Sequence, residues 1–355
     1  MEKFKKVLNH IFIDGLSGMA LGLFSTLIIG TIIQQVGQMI GGTIGDTLYL
    51  FGKVASAMTS AGIGVGVAFK FKEPAYVVLS AATAGTVGGY ASKILAGTLI
   101  GEGGTVILAG PGEPLGAFIA ALVGIEIGHL VSGKTKIDLL VTPFVTITTG
   151  SAVGLIVGPP ITEFMTALGA IINWGTEQQP FIMGIVVSVV MGMILTAPIS
   201  SAALGIILNL SGLAAGAAVV GCCCNMVGFA VASYRENKVG GLLAQGVGTS
   251  MLQVPNIVRK PIIWLPAIVS SAILGPVGTV LMNMQSNAAG SGMGTCGLVG
   301  QIMTWQVMAP IEGSVMTLVK ILLVQIILPA VVTLAVSELM RKKGWIQYGD
   351  MKLEL

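Results

Sequence analysis

The sequence predicts an all-α fold, a polytopic membrane protein of about ten transmembrane helices with re-entrant hairpins. Three observations lead to this prediction. Asp, Glu, Lys and Arg make up only 9% of the 355 residues, hydrophobic residues make up 54%, and the mean hydropathy is +0.92. Average soluble domains carry about 25% charged residues. The apolar residues come in runs of about 20, which as helix cross the hydrocarbon of a bilayer.

The basic residues lie in short clusters between the apolar runs, and they indicate which loops face the cytoplasm. The clusters are at 3–6, 70–72, 134–136, 235–238, 259–260 and 341–343. Both termini are then cytoplasmic and the number of crossings is even. A net charge of +3 is too small to indicate nucleic acid as a partner.

In the first half of the chain, each apolar run ends at charged residues, glycines or prolines. The stretch 101–114 is rich in Gly and Pro, and we expect it to be external or re-entrant. The run that begins at 139 is expected to end at Pro159 and Pro160, because proline interrupts a helix. The predicted spans are 11–36, 46–69, 75–100, 115–131 and 139–157.

In the second half, polar and broken segments alternate with the spans. Residues 162–179 are polar at both ends and predict an interfacial helix. Residues 181–233 contain a break at Pro198, and either a helix with a hairpin or three short spans would fit. Residues 240–254 read as re-entrant or interfacial, and the Gly-rich stretch 285–306 is the best candidate for irregular backbone near a site. The apolar segments of this half are 181–210 and 211–233, whose number of crossings stays open, and the predicted spans 262–284 and 314–340.

Glycine and cysteine usage bear on mechanism and on cofactors. The 51 glycines are typical of closely packed or broken membrane helices, as transporters use them. The cysteines, at 222–224 and 296, lie in apolar or Gly-rich sequence without spaced His or Asp partners. We therefore predict that they pack between helices, and we predict no metal, no cofactor and no catalytic residue.

Charged residues at membrane depth are the first candidates for a substrate site, because burying them is costly. Glu126 and His129 are three residues apart and share a helix face. They would hydrogen-bond a hydroxylated or anionic solute, carry a proton, or form a pair at the helix end near the cytoplasmic headgroups. Glu312 follows Pro310, and Glu163 follows Pro160; each either joins a site with carbonyls freed by proline or lies in an external loop.

Neutral polar residues in Gly-rich surroundings are the second group of candidates. They suit the hydroxyls of a sugar, and they suit hydrogen bonds between helices equally well. The group consists of Asn225, Gln285, Asn287, Ser200 and Ser201.

Four stretches resemble one family of membrane proteins. They are KKVLNHIFIDGLSGMALGLFSTLIIGTI, LSAATAGTVGGYA, PGEPLGAFIAALVG and LTAPISSAALG. Together they are similar to the EIIC-like proteins related to the perfringolysin regulator, which are grouped with the sugar-specific EIIC components of the bacterial phosphotransferase system. The resemblance covers nearly the whole chain.

The resemblance implies a single EIIC-like transmembrane domain over 1–355, with halves 1–135 and 136–340 and a cytoplasmic tail at 341–355. It also implies a homodimer in the bacterial inner membrane and elevator-type movement of a substrate-carrying part. In the EIIC class a Glu beside a Pro-containing segment and a His contact the sugar. By context Glu312 and His129 are the corresponding positions.

The resemblance leaves two functions open. The first is a permease for a small polar solute, a sugar or sugar acid. Because the sequence has no EIIA or EIIB domain, the chain is not an enzyme by itself, although it would serve as the permease subunit for separate EIIA and EIIB proteins. The alternative is a membrane-bound ligand sensor or regulator without net transport.

Overall fold

The computed structural model describes residues 10–353. The predicted basic cluster at 3–6 lies outside the described residues. The chain forms two compact units, 1–165 and 166–355, which are described separately. Helices make up most of both units, as predicted.

The first unit begins with a long apolar helix and ends within another. Between them lie shorter helices and the Gly-rich stretch 101–113, which is largely irregular. In chain order the helices are α1 (His10–Ile40), α2 (Gly42–Ala57), α3 (Thr59–Lys70), α4 (Ala75–Gly89), α5 (Ala91–Leu95), α6 (Pro114–Val131) and α7 (Asp138–Thr176).

Glycines allow the helices of the first unit to touch backbone to backbone. A Cβ on Gly22 of α1 would lie 2.2 Å from the carbonyl oxygen of Gly62 in α3. A Cβ on Gly64 of α3 would lie 2.0 Å from the carbonyl oxygen of Ala81 in α4. Such distances are impossible for a side chain, so these crossings depend on glycine.

Two predicted spans of the first unit have a different shape from the prediction. The segment 46–69 is not one straight span, because α2 and α3 meet at Met58 with a bend of 54°. The segment 75–100 is helical only to Gly89, after which α5 adds one short turn. Tyr90 explains this end: its hydroxyl donates to the carbonyl of Gly110 and ties the helix end to the 101–113 loop.

The predicted break at Gly158-Pro159-Pro160 is wrong. Helix α7 runs through both prolines without interruption, and the separate interfacial helix predicted at 162–179 is therefore also wrong. The φ angle that proline imposes is close to that of a helix, so consecutive prolines cost hydrogen bonds without enforcing a turn. Thr162 additionally donates its hydroxyl to the carbonyl of Gly158 at 3.0 Å.

The second unit contains long helices separated by short helical turns and irregular segments. The predicted break near Pro198 is confirmed, because α8 ends at Thr196 and helix resumes at Ser201. The helices are α8 (Pro180–Thr196), α9 (Ser201–Ile207), α10 (Gly212–Ala232), α11 (Tyr234–Leu243), α12 (Val254–Arg259), α13 (Pro261–Leu281), α14 (Ala288–Ser291), α15 (Val299–Glu312) and α16 (Ser314–Lys342).

Six helices within residues 10–353 are long and apolar enough to cross a membrane, or seven if the bent pair α2 and α3 forms one span. Two further apolar helices, α4 and α8, are shorter. The predicted count of about ten crossings is thus not confirmed, although the reading as a polytopic membrane protein agrees with these helices.

The centre of the second unit is a bundle of α8, α10 and α13. A Cβ on Gly221 of α10 would lie 1.8 Å from the carbonyl oxygen of Ser188 in α8, and one on Gly275 of α13 would lie 2.0 Å from that of Gly184. All four cysteines are buried, three of them on α10, as expected for residues that pack between helices.

The C-terminal segment packs against the second unit. Helix α16 ends at Lys342, and Gly344 follows it in the left-handed conformation, at φ +74°. The amide of Trp345 donates to the carbonyl of Met340, as is common in C-terminal helix caps. The chain then returns, and three side-chain amides hold its backbone. Asn237 and Gln253 donate to the carbonyl of Met351, and Asn256 donates to that of Lys352.

Candidate functional site

Glu126 and His129 share a face of α6, but each side chain is paired with a different residue. The Nε2 atom of His10 lies 2.8 Å from Oε1 of Glu126. The Nδ1 atom of His129 lies 2.9 Å from Oε2 of Glu73, whose side chain is 8% exposed. The two residues therefore tie α6 to α1 and to the loop after α3. The third candidate of the first unit, Glu163, lies exposed on α7.

Asn225 lies in the centre of the α8, α10 and α13 bundle and is fully buried. Its Oδ1 atom accepts from the hydroxyl of Thr196 at 3.1 Å and from the indole of Trp264 at 2.9 Å. Its Nδ2 atom donates to Gly221 and Ser271. Both ends of the amide are satisfied, which is typical of a residue that joins helices.

The segments around Ser200 and around Asn287, both predicted to be irregular, lie together in the second unit. The hydroxyl of Ser201 donates to the carbonyl of Gly292 at 2.7 Å. Asn287 caps α14 by accepting from the amide of Gly290. Ser200 is 9% exposed and precedes α9. The prediction that 285–306 is irregular holds for 285–298 apart from the short helical turns Ala288–Ser291 and Cys296–Leu298, whereas α15 begins at Val299.

Residues 285–287 run along α15 in the opposite direction. The backbone amide of Gln285 donates to the sulfur of Met308 at 3.3 Å, and Nδ2 of Asn287 donates to the sulfur of Met303 at 3.5 Å. The irregular segment thus borders α15.

Glu312 is the last residue of α15, and its carboxylate pairs with Lys320 of α16. Oε2 lies 2.5 Å from Nζ of Lys320, and the side chains are 23% and 17% exposed. The hydroxyl of Thr317 donates to the other carboxylate oxygen at 3.4 Å. The pair is a partly buried ion pair, and it joins the ends of two helices.

A set of neutral polar residues on α15 and α16 was missed by the sequence reasoning. Gln301 and Thr304 lie three residues apart on one face of α15 and are 8% and 0% exposed. Gln325 of α16 is fully buried and donates from Nε2 to the hydroxyl oxygen of Thr304 at 3.0 Å. Gln325 lies in a π-helical stretch, Leu322–Ile327, and such stretches are frequent at functional sites.

Three buried oxygens on α15, on α16 and in the segment before α14 have no hydrogen-bond partner among the described residues. They are Oε1 of Gln301, Oε1 of Gln325 and Oγ of Ser286. Buried polar atoms are normally paired, and leaving one unpaired costs about 1–3 kcal/mol. We name Ser286, Asn287, Gln301, Thr304 and Gln325 the α15 cluster. Its amide and hydroxyl groups are able to accept hydrogen bonds from the hydroxyls of an uncharged ligand.

One feature of the sequence, a single amide side chain within an apolar run, could have indicated the α15 cluster. Gln325 stands in the sequence ILLVQIIL, where a neutral polar group at membrane depth needs a partner.

Apolar helices of membrane-spanning length, with irregular segments packed between them, are typical of a polytopic membrane protein. Comparison with known families is specific: the sequence profile of the phosphotransferase system EIIC family matches residues 13–353. The chain belongs to this family, whose members are membrane sugar permeases. No curated protein matches the chain in sequence.

Proposed function

We propose that this chain carries an uncharged sugar across the bacterial inner membrane and binds it at the α15 cluster of the second unit. The observation that carries the proposal is the group of unpaired buried oxygens on Ser286, Gln301 and Gln325. A sugar hydroxyl that donates to each of them offsets the cost of burying it. Gln285, Ser200 and Ser201 lie in the segments next to the cluster and support it.

The charge of the cluster favours a sugar over a sugar acid. All five members are neutral, and the nearby cation Lys320 is already paired with Glu312. An anionic substrate would need a cation or several donors directed at its carboxylate. The other residues predicted from the sequence to contact the substrate are not part of the α15 cluster, and their contact with substrate stays a prediction. They are Glu126, His129, Glu163, Glu312 and Asn225.

An elevator mechanism, a homodimer and separate EIIA and EIIB partners complete the proposal. In an elevator, one part of the protein holds the substrate and moves with it as a body. The α15 cluster draws all its members from the second unit, which supports that unit as the moving part. The basic segments 134–136 and 235–238 each support a cytoplasmic surface for partner proteins, with both termini in the cytoplasm.

Uptake of labelled sugars and sugar acids into proteoliposomes, without any other protein, tests this function. We expect uptake or binding of at least one uncharged sugar. Gln301→Met should abolish it, whereas Gln306→Met, which changes an exposed glutamine on the same helix, should retain it. Binding without uptake would favour a partner-dependent permease or a sensor. Transport that prefers sugar acids and survives Gln301→Met would overturn the proposed site.

A further inference from the structure

A cavity of about 350 Å³ lies where α10, α11 and α16 approach one another in the second unit. Most of its wall is apolar, and one ion pair stands at its edge. The guanidinium of Arg235 lies 3.0 Å from the carboxylate of Glu338, and the two side chains are 61% and 30% exposed. The residues that line the cavity are Val231, Ala232, Tyr234, Arg235, Leu242, Leu334 and Glu338.

Two kinds of exposed residue near this cavity are typical of the level of the lipid headgroups. Tyr234 and Trp345 are exposed aromatic residues, which collect at membrane interfaces. Lys342 and Lys343 follow directly at the end of α16. Further into α16, Leu334 is exposed and faces away from the unit's own core. The cavity therefore joins a charged interface to an apolar surface.

The charges at its edge are balanced rather than positive. Arg235 supplies one cation and Glu338 one anion. Behind them Arg341 and Glu236 form a second pair at 2.9 Å, with side chains 9% and 0% exposed, and Nε of Arg341 also lies 4.0 Å from the carboxylate of Glu338. An arginine has five N–H donors and a carboxylate has several acceptor sites, so both rim residues are able to hold each other and a ligand.

We propose that this cavity binds a zwitterionic phospholipid with a primary ammonium headgroup. Its phosphate meets Arg235, its ammonium meets Glu338, and an acyl chain lies along Leu242 and Leu334. A purely anionic headgroup would bring its charge next to the Glu338 carboxylate. A quaternary ammonium would have no N–H to donate to that carboxylate. The cation of Arg235 and the anion of Glu338 match the phosphate and the ammonium of the lipid, and the apolar groove matches its acyl chain. Together they favour a lipid with a primary amine.

Native mass spectrometry of the purified full chain tests the proposal with three lipids of identical acyl chains: phosphatidylethanolamine, phosphatidylglycerol and phosphatidylcholine. We expect phosphatidylethanolamine to be retained most strongly. Arg235→Gln and Glu338→Gln should each weaken the retention of phosphatidylethanolamine about tenfold, because each change removes one charge-assisted hydrogen bond. Lys342→Gln removes a charge from the same end of α16 and should leave retention unchanged.

A second variant guards against simple loss of the fold. Leu334→Trp fills the cavity while leaving both rim charges in place, and it should also abolish retention without lowering the melting temperature. Equal retention of the three lipids, preference for phosphatidylglycerol, or a Leu334→Trp protein that still retains phosphatidylethanolamine would each overturn the proposal.

Discussion

The closest helix crossing of the second unit gives a sharp stability prediction. Gly221→Ala would place a Cβ 1.8 Å from the carbonyl oxygen of Ser188 and 2.6 Å from its Cα. Separations under 3.0 Å do not occur for real Cβ atoms, so α8 and α10 must move apart by more than about 1 Å. Both opposing atoms belong to backbone, and rotation of a side chain gives no relief.

The magnitude follows from overpacking in a close-packed interior, which costs about 1–3 kcal/mol and occasionally more. Because the whole crossing must separate, we expect a cost of about 3 kcal/mol or more. At about 2–4 °C per kcal/mol for a unit of this size, the melting temperature falls by about 6–12 °C.

The assay is thermal unfolding in detergent at one fixed scan rate, because membrane proteins seldom unfold reversibly. Gly240→Ala is the matched control, since a Cβ on Gly240 of α11 meets no atom within 4 Å. It should be neutral or slightly stabilising, because alanine favours helix. A Gly221→Ala protein that melts within about 2 °C of the wild type would refute this packing argument.

Three further predictions concern the second unit. Glu312→Gln and Lys320→Met should each lower the free energy of unfolding by about 1–3 kcal/mol, because each change leaves a partly buried charge unpaired. The double variant should lose less than the sum of the two, and additive losses in a double-mutant cycle would contradict the pairing. Asn237→Ala removes bonds to Met351 and Leu353, so limited proteolysis should release the C-terminal segment faster than in wild type, and an unchanged cleavage rate would show that those bonds do not hold it. All four cysteines are buried and should resist maleimide in the native protein and react after denaturation; rapid native labelling would refute their packing.

Hydropathy predicted the helices well where a single apolar run lies between charged or Gly-rich ends. The predicted span 115–131 corresponds to α6, which begins at Pro114, and 211–233 corresponds to α10. The prolines of α7 misled the prediction, because the sequence shows that a proline lacks its N–H group but does not show whether the surrounding helix continues.

The partners of the candidate residues were beyond sequence reasoning. Helical spacing placed Glu126 and His129 on one face correctly, yet their partners His10 and Glu73 come from distant parts of the chain. Such contacts depend on how the helices cross. The same limit hid the link between Gln325 and Thr304, although each residue alone was visible as a polar group in an apolar run.

We expect the buried amide of Gln301 to serve a ligand rather than the fold. Its Nε2 atom makes only a long contact, 3.4 Å, to the sulfur of Cys223, and its Oε1 atom has no partner among the described residues. Gln301→Met keeps the side-chain volume and removes the unpaired oxygen. The free energy of unfolding should therefore be equal to that of the wild type or higher by up to about 1 kcal/mol, and the melting temperature should not fall.

The most direct measurement is therefore equilibrium binding of an uncharged labelled sugar to wild type and Gln301→Met, together with the melting temperature of each protein without sugar. We expect the variant to be at least as stable as the wild type and to bind the sugar at least about tenfold more weakly. A variant that is less stable than the wild type and binds the sugar with unchanged affinity would contradict this role of Gln301.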